Sequence, residues 1–310
     1  MADRKFQFGL VDARFTGSPS AVAGITSKRV EWVRDIGNFR GPVFFSHEKM
    51  LDLNLEVPKR FRFGLLVESE TQARRLYRSI DKVMDEYSLV FTHSRRLLRL
   101  FQNARWIPGG GCWIGGAFGG GDQPAIFEKS KNISMVTSNK QASADHILRY
   151  KLARQIERKL PSVEVYRQLG GSMRSPIQLT TGRESVFLGP RILALEYLKE
   201  YRYSIVIENN RDDLYFTEKI LNCFATGTVP IYRGARSIST LFDGRGIIPW
   251  SSPSRLVKSV LPNLNEQDYS GRAEAIDRNF QLFSRFKSIE DYIIENYGEQ
   301  ITGQDPYIAP

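Results

Sequence analysis

"YSIVIENNRDDLYFTEKILNCFATGTVPIYRG", Tyr203 to Gly234, passes from an apolar run into a polar, charged loop, then into a short helical pattern and a second apolar run. "YSIVIE" is short and unbroken, the pattern of a strand buried within a parallel sheet. "TEKILNCFAT" follows as a helix, Gly227 suits its left-handed C-terminal cap, and "VPIYRG" is the next strand. Strand, helix and strand in alternation predict an α/β layer.

The same alternation extends in both directions. Upstream, "NISMVTS" reads as a strand and "DHILRYKLARQIERKLP" as a helix with Leu148, Leu152, Ile156 and Leu160 spaced by four. Asp145 is placed to cap that helix and Pro161 to stop it. "VEVYRQLG" reads as a strand and "RILALEYLKEY" as a helix. The first third repeats the pattern with "FQFGLVDA", "GPVFFS", "RFGLLVES" and "YSLVFTHS", separated by helix-patterned pieces such as "ETQARRLYRSIDKVMDEY". Between the two series lies "IPGGGCWIGGAFGGGDQP", permissive backbone that suits a hinge and contains no phosphate-loop glycine spacing. These signals predict two Rossmann-like domains facing across a cleft: 1–122, 123–280, and a final segment 281–310 whose helix "SIEDYIIENYG" packs back on the first.

The chain has 310 residues, 41% of them hydrophobic, with 44 Lys plus Arg against 34 Asp plus Glu. That composition is globular, and a net charge of +10 suits an anionic partner. Two cysteines exclude a disulfide framework, and no Cys/His cluster has zinc-ligand spacing. No apolar stretch reaches the roughly 18 residues of a membrane span, and no secretory leader is visible. A soluble, cytoplasmic protein without a transmembrane segment is expected.

In open α/β sheets ligands bind beyond the carboxyl ends of the strands. Glu208 to Lys219 occupy that position after "YSIVIE". The first-turn amides and dipole of the following helix favour an anion, and Lys219 adds a positive charge there. Glu218 would repel phosphate and is better suited to accepting from hydroxyls such as those of ribose. The block therefore has the parts to hold a sugar nucleotide.

"IENNRDDLYFTEKILNCFATGTVPIYRG" resembles the donor-binding signature of the α1,3/4-fucosyltransferases. Glu208, Asn209, Tyr215, Thr217, Glu218, Lys219, Gly227, Val229, Pro230 and Gly234 match it in order. "SNKQASADHILRYKLARQI" is similar to the family's segment of a Ser, a short loop and an Arg at a helix start, which maps onto Ser138 and Arg149. Arg154 lies five residues on, roughly 7 Å further along the helix. "LLVESE" resembles the family's strand ending in an acidic residue on the acceptor side. The resemblance spans about residues 60 to 250 and is strong over 203 to 234.

The resemblance implies the GT-B architecture, a nucleotide-sugar donor (GDP-fucose), inverting transfer to a glycan hydroxyl, and binding that needs no Asp-x-Asp metal motif. The chain contains no such motif, so no obligatory cofactor or metal is expected; stimulation by a divalent ion stays open. Inverting transfer needs a base, for which Glu68 is the candidate and Glu70 the alternate. Arg149 and Lys219 would neutralise the pyrophosphate, Tyr215 and Glu218 hold the nucleoside, and Glu208 or Asn209 hold hydroxyls. His146, one turn before Arg149, is a further candidate; His93, after a strand, reads more readily as an edge residue. The charged "RDD" loop departs from the family and leaves UDP-xylose or GDP-rhamnose as alternative donors. Two other readings are a basic nucleic-acid-binding protein and a nucleotide-sugar-binding module without chemistry. "HSRRLLRLF" supports the first, but its leucines fit an amphipathic helix and no nucleic-acid motif accompanies it, so no nucleic-acid partner is expected.

Overall fold

A computed structural model describes residues 5–13, 20–22, 24–53, 56–116, 119–138, 141, 143–168, 178–181, 184–187 and 193–303. The chain divides into two compact units, Met1–Gly111 with Arg285–Pro310, and Cys112–Ser284.

In the first unit β1 (Phe6–Val11), β2 (Val30–Val33), β3 (Val43–Ser46), β4 (Arg62–Leu66), β5 (Leu89–Thr92) and β6 (Ala104–Trp106) form one parallel sheet. Its order is β2-β1-β3-β4-β5-β6. Side chains alternate across a strand, so adjacent Phe44 and Phe45 serve different cores. Phe44 lies 5.2 Å from Phe63 and 5.8 Å from Phe91 in an aromatic layer. Phe45 joins Leu76, Tyr77, Ile80 and Leu97 beneath α1 (Arg74–Ser79) and α2 (Arg95–Leu100). The long helical pattern after "LLVES" is only partly realised: α1 gives way to 3-10 turns at Ile80–Lys82 and Met84–Glu86. His47, just past β3, is fully buried with φ of 53°, and its Nδ1 lies 2.6 Å from Ser46 Oγ.

In the second unit β7 (Lys131–Ser138) is followed by α3 (Ala144–Lys159) and β8 (Val163–Gln168). β9 (Gln178–Thr181) and β10 (Glu184–Phe187) form an antiparallel hairpin. The chain then runs β11 (Tyr201–Ile207), α4 (Glu218–Thr226), β12 (Val229–Arg233) and β13 (Ile248–Pro249). Short helices α5 (Pro253–Arg255) and α6 (Glu266–Ser270) lead to α7 (Ala273–Leu282). The parallel sheet has the order β13-β12-β11-β7-β8. Leu152 and Ile156 of α3, flanked by Leu148 and Leu160, pack on Ile133, Met135, Val165 and Ile205, as the spacing by four requires. Ser143, not Asp145, caps α3, because its hydroxyl accepts from the His146 amide at 3.2 Å while Asp145 turns to Arg233, 3.2 Å away.

"RILALEYLKEY" is likewise corrected: its described part holds only a 3-10 turn, Ala194–Tyr197. The carbonyls that would extend a helix are already taken. Buried Lys129 Nζ lies 3.3 Å and 3.0 Å from the oxygens of Leu198 and Lys199, and Thr228 Oγ1 donates to Leu198 O at 2.9 Å.

The last described helix, α8 (Ile289–Thr302), belongs to the first unit. Its Tyr292 ring lies 5.5 Å from Trp106, and Tyr297 lies 5.6 Å from Phe91, so it closes the aromatic layer. Glu290, 2% exposed, accepts hydrogen bonds from Ser20 Oγ, Ala21 N (2.8 Å), Trp32 Nε1 (3.1 Å) and Ser288 Oγ (3.1 Å). Asp291 accepts from Ser27 Oγ at 2.5 Å and Arg29 N at 3.2 Å. Among the described residues no helix is long and apolar enough to cross a membrane.

Candidate functional site

From β7 the second unit's chain crosses to β8 on one side, then returns to β11 on the other. The order therefore reverses between the carboxyl ends of β7 and β11, the place where open α/β sheets bind ligands. Ser138 ends β7, and Ile207 ends β11. α3 and α4 both start at this edge.

Arg149, in the second turn of α3, reaches the end of β11 and donates from Nη1 to the Ile207 carbonyl at 3.3 Å. Its Nε is buried without a hydrogen-bond partner among the described residues. Burial pushes the guanidinium pKa down, and Glu208, Glu218, Tyr197 and Asp145 draw it back. Arginine remains charged at these pH values. Arg154 is exposed, its guanidinium 5.9 Å from the Tyr150 ring centroid, and it takes no part in this cluster.

Lys219 faces the same edge from α4. Its Nζ lies 2.8 Å from Glu218 Oε1, 3.5 Å from Glu208 Oε2 and 3.0 Å from Thr217 Oγ1. Burial works against its charge, but Glu218 and Glu208 together outweigh it, and its pKa is raised.

Glu208 is 1% exposed and both carboxylate oxygens are engaged inside the protein. Oε1 accepts from the Thr217 amide at 3.0 Å, and Oε2 from the Thr217 hydroxyl at 2.8 Å. Burial raises its pKa against the pull of Lys219. The expectation that Glu208 binds sugar or ribose hydroxyls gives way to this geometry: it ties the end of β11 to the start of α4. The anion expected at the first-turn amides of α4 is thus partly supplied by the protein itself. Thr217 caps α4, its hydroxyl 3.4 Å from the Lys219 amide, and Gly227 closes the helix at φ of 71° as its spacing predicts.

Tyr215 is 2% exposed, so its ring belongs to the core and offers no face to a nucleobase. His146 is also buried; its Nδ1 lies 2.8 Å from Ser143 Oγ, at the start of α3. It positions the cap of α3. Asn209 is half-buried, and its main-chain oxygen accepts from Ser143 Oγ at 3.4 Å. Ser138 is half-buried at the end of β7. The structure thus brings Arg149, Glu208, Thr217, Glu218 and Lys219 together. It adds Tyr197, whose phenol interacts with Glu218, Asn222 and Arg149 and whose pKa burial raises. The sequence concealed Tyr197 inside an apparent helix.

Glu68 and Glu70 lie in the first unit, beyond the carboxyl end of β4, both half-buried. The Glu68 carbonyl accepts from Tyr77 Oη at 3.0 Å and lies 3.1 Å from His93 Nε2. Burial lowers the His93 pKa to about 4, so neutral His93 donates this bond from Nε2. Glu70 Oε1 accepts from the Ser94 hydroxyl, which also caps α2.

No family model matches the chain. The α-(1,3)-fucosyltransferase FucT of Helicobacter pylori is 27% identical over 101 residues, which span 33% of this chain and 18% of that protein. A crystal structure of α1,3-fucosyltransferase with GDP superimposes with a TM-score of 0.52 at 12% identity, covering 100% of this chain and 95% of that one. TarM gives a TM-score of 0.54 at 11% identity, covering 84% and 54%. The parallel α/β units are those of the GT-B fold, and the chain resembles the α1,3-fucosyltransferases in that fold and, over the 101 matched residues, in sequence.

Proposed function

We propose that the chain is an inverting glycosyltransferase that moves fucose from GDP-fucose to a glycan hydroxyl. The observation that carries this reading is the pair of cations at the second unit's switch point. Arg149 keeps a buried Nε donor without a partner among the described residues, and Lys219 is held charged beside it. A pyrophosphate supplies the acceptor that this Arg149 donor lacks. Glu218 and Asn209 are the groups at the same edge suited to ribose and sugar hydroxyls. Ser138 stands at the end of the neighbouring strand.

In the reaction, the acceptor oxygen attacks the anomeric carbon as the bond to the diphosphate breaks. Arg149 and Lys219 counter the charge that grows on the departing phosphate. A base must take the hydroxyl proton, and Glu68 is our candidate, its main chain fixed by Tyr77 and His93. Glu70, already accepting from Ser94, is the alternate. The fold is also that of TarM, so the choice of sugar rests on binding.

The test is a thermal-shift and calorimetry panel of GDP, GDP-fucose, GDP-rhamnose, UDP and UDP-xylose, followed by transfer assays with the donor that binds. A ligand at 100 times its Kd raises stability by about 2.7 kcal/mol. Stabilisation by GDP and GDP-fucose, lost in Arg149→Ala, is expected. Stabilisation by UDP sugars instead would transfer the reading to another donor, and no response to any nucleotide would defeat it.

A further inference from the structure

α1 and α2 lie side by side on one face of the first sheet. Arg96 of α2 joins them, with Nη1 2.6 Å from Asp81 Oδ2 and Nη2 donating to the Tyr77 carbonyl at 3.0 Å. Their inner sides contribute Leu76, Tyr77 and Leu97 to the core. Their outer sides are cationic: Arg74, Arg75, Arg78 and Arg99 are exposed, as is Lys82 in the turn after α1, and none makes an ion pair or side-chain hydrogen bond among the described residues. Residues 74–100 carry seven Lys or Arg against three acids. Of those acids Asp81 is held by Arg96, and Glu86 lies 3.6 Å from Arg62; Asp85 is left to oppose the cations.

Arg74 and Arg78 are four residues apart on one helix, a spacing at which like charges repel. At the end of α2, Leu100 is 63% exposed, the most exposed of the large apolar residues described. Beside it opens a groove of about 710 Å³ whose lining includes Lys59, Arg60 and Phe101. Arg99 adjoins this leucine, and Lys59 and Arg60 share its groove with one acid, Asp85, so a cationic face with an exposed leucine at its edge complements an anionic surface with an apolar interior. Nucleic acid would answer the charges and leave Leu100 in water, whereas a lipid headgroup layer accepts both.

We propose that the α1–α2 face docks on an anionic phospholipid surface, with Leu100 entering the headgroup boundary. This inference does not depend on the transferase reading.

The full chain is sedimented with phosphatidylcholine vesicles, alone or mixed with phosphatidylglycerol, at low and physiological salt. Binding only to the anionic vesicles is expected. Reversing Arg74→Glu, Arg75→Glu and Arg78→Glu together should reduce partition by more than about ten-fold. The matched reversal of Lys151→Glu, Arg154→Glu and Lys159→Glu on the exposed side of α3 should leave most of it. Leu100→Ser should weaken partition several-fold without changing its salt dependence, with circular dichroism reporting that each variant folds. Equal binding to both vesicle types, equal effects of the two reversals, or capture by duplex DNA but not by vesicles would each overturn the proposal. If the first reversal fails to fold, the single variants Arg78→Glu and Leu100→Ser make the same comparison.

Discussion

Lys219 keeps its charge in a partly buried place because two carboxylates face it, so removing it has two separable effects. Lys219→Ala should weaken nucleoside-diphosphate binding by roughly 1.5–3 kcal/mol, the scale of a hydrogen bond to a charged group; calorimetry on the folded variant measures this. The same change leaves Glu208 buried without its cation, so the urea midpoint should fall as well. Arg149→Lys retains charge but loses the planar fork and should impair binding and turnover, whereas exposed Arg154→Lys should do neither. For Glu68→Gln, donor affinity should persist while transfer slows about 10²–10⁴-fold; a near-normal rate would pass the role to Glu70. His93 supplies a pH dependence. Its pKa in the fold, about 4, lies below the usual 6.5, so the stability gained from a neutral imidazole is complete above pH 6.5 and is lost as pH falls toward 4. The slope approaches about 1.4 kcal/mol per pH unit. Denaturant titrations of wild type and His93→Gln between those pH values should give the shallower dependence for the variant; identical slopes would dismiss the mechanism.

Elements near the site were legible where local chemistry alone fixes them. "TEKILNCFAT" has a threonine cap, an apolar stripe and a glycine stop, and α4 starts and ends where those residues place it. Gly227→Ala should cost at least about 1 kcal/mol, since its left-handed backbone disfavours a side chain and a new Cβ would sit 2.8 Å from Ile126 Cγ2. Asn at this position should recover part of the loss in thermal unfolding. Other features were hidden because distant residues decide them. The turn at Ala194–Tyr197 resembles a helix in sequence, yet Lys129 and Thr228 claim its next carbonyls. Nothing local announces that Glu208 bonds to Thr217, because that pairing depends on the path of the intervening loop. Tyr215 matches a binding motif and is nonetheless core, since a motif records residue order and not which way a ring turns. Gly234 shows the same dependence on neighbours: a Cβ there would meet Tyr232 Oη at 2.2 Å and Glu208 Cγ at 2.6 Å.

At the scale of the whole molecule, the first unit's sheet is finished by a helix from the far end of the chain. Glu290→Ala removes the acceptor shared by Ser20, Ala21, Trp32 and Ser288, leaving buried donors unmet at about 1–3 kcal/mol each. Limited proteolysis should then cut the first unit before the second; uniform protection would show that α8 is dispensable. The second unit, Cys112–Ser284, is by contrast continuous in sequence. During synthesis that difference becomes a difference in time. Ribosomes add roughly 5–20 residues per second, so the strands β1 to β6 emerge many seconds before α8 exists to cover Phe91 and Trp106. The aromatic layer waits without α8 while the whole second unit is translated, so a chaperone that reads exposed aromatic surface should capture chains stalled before residue 289 and not full-length ones.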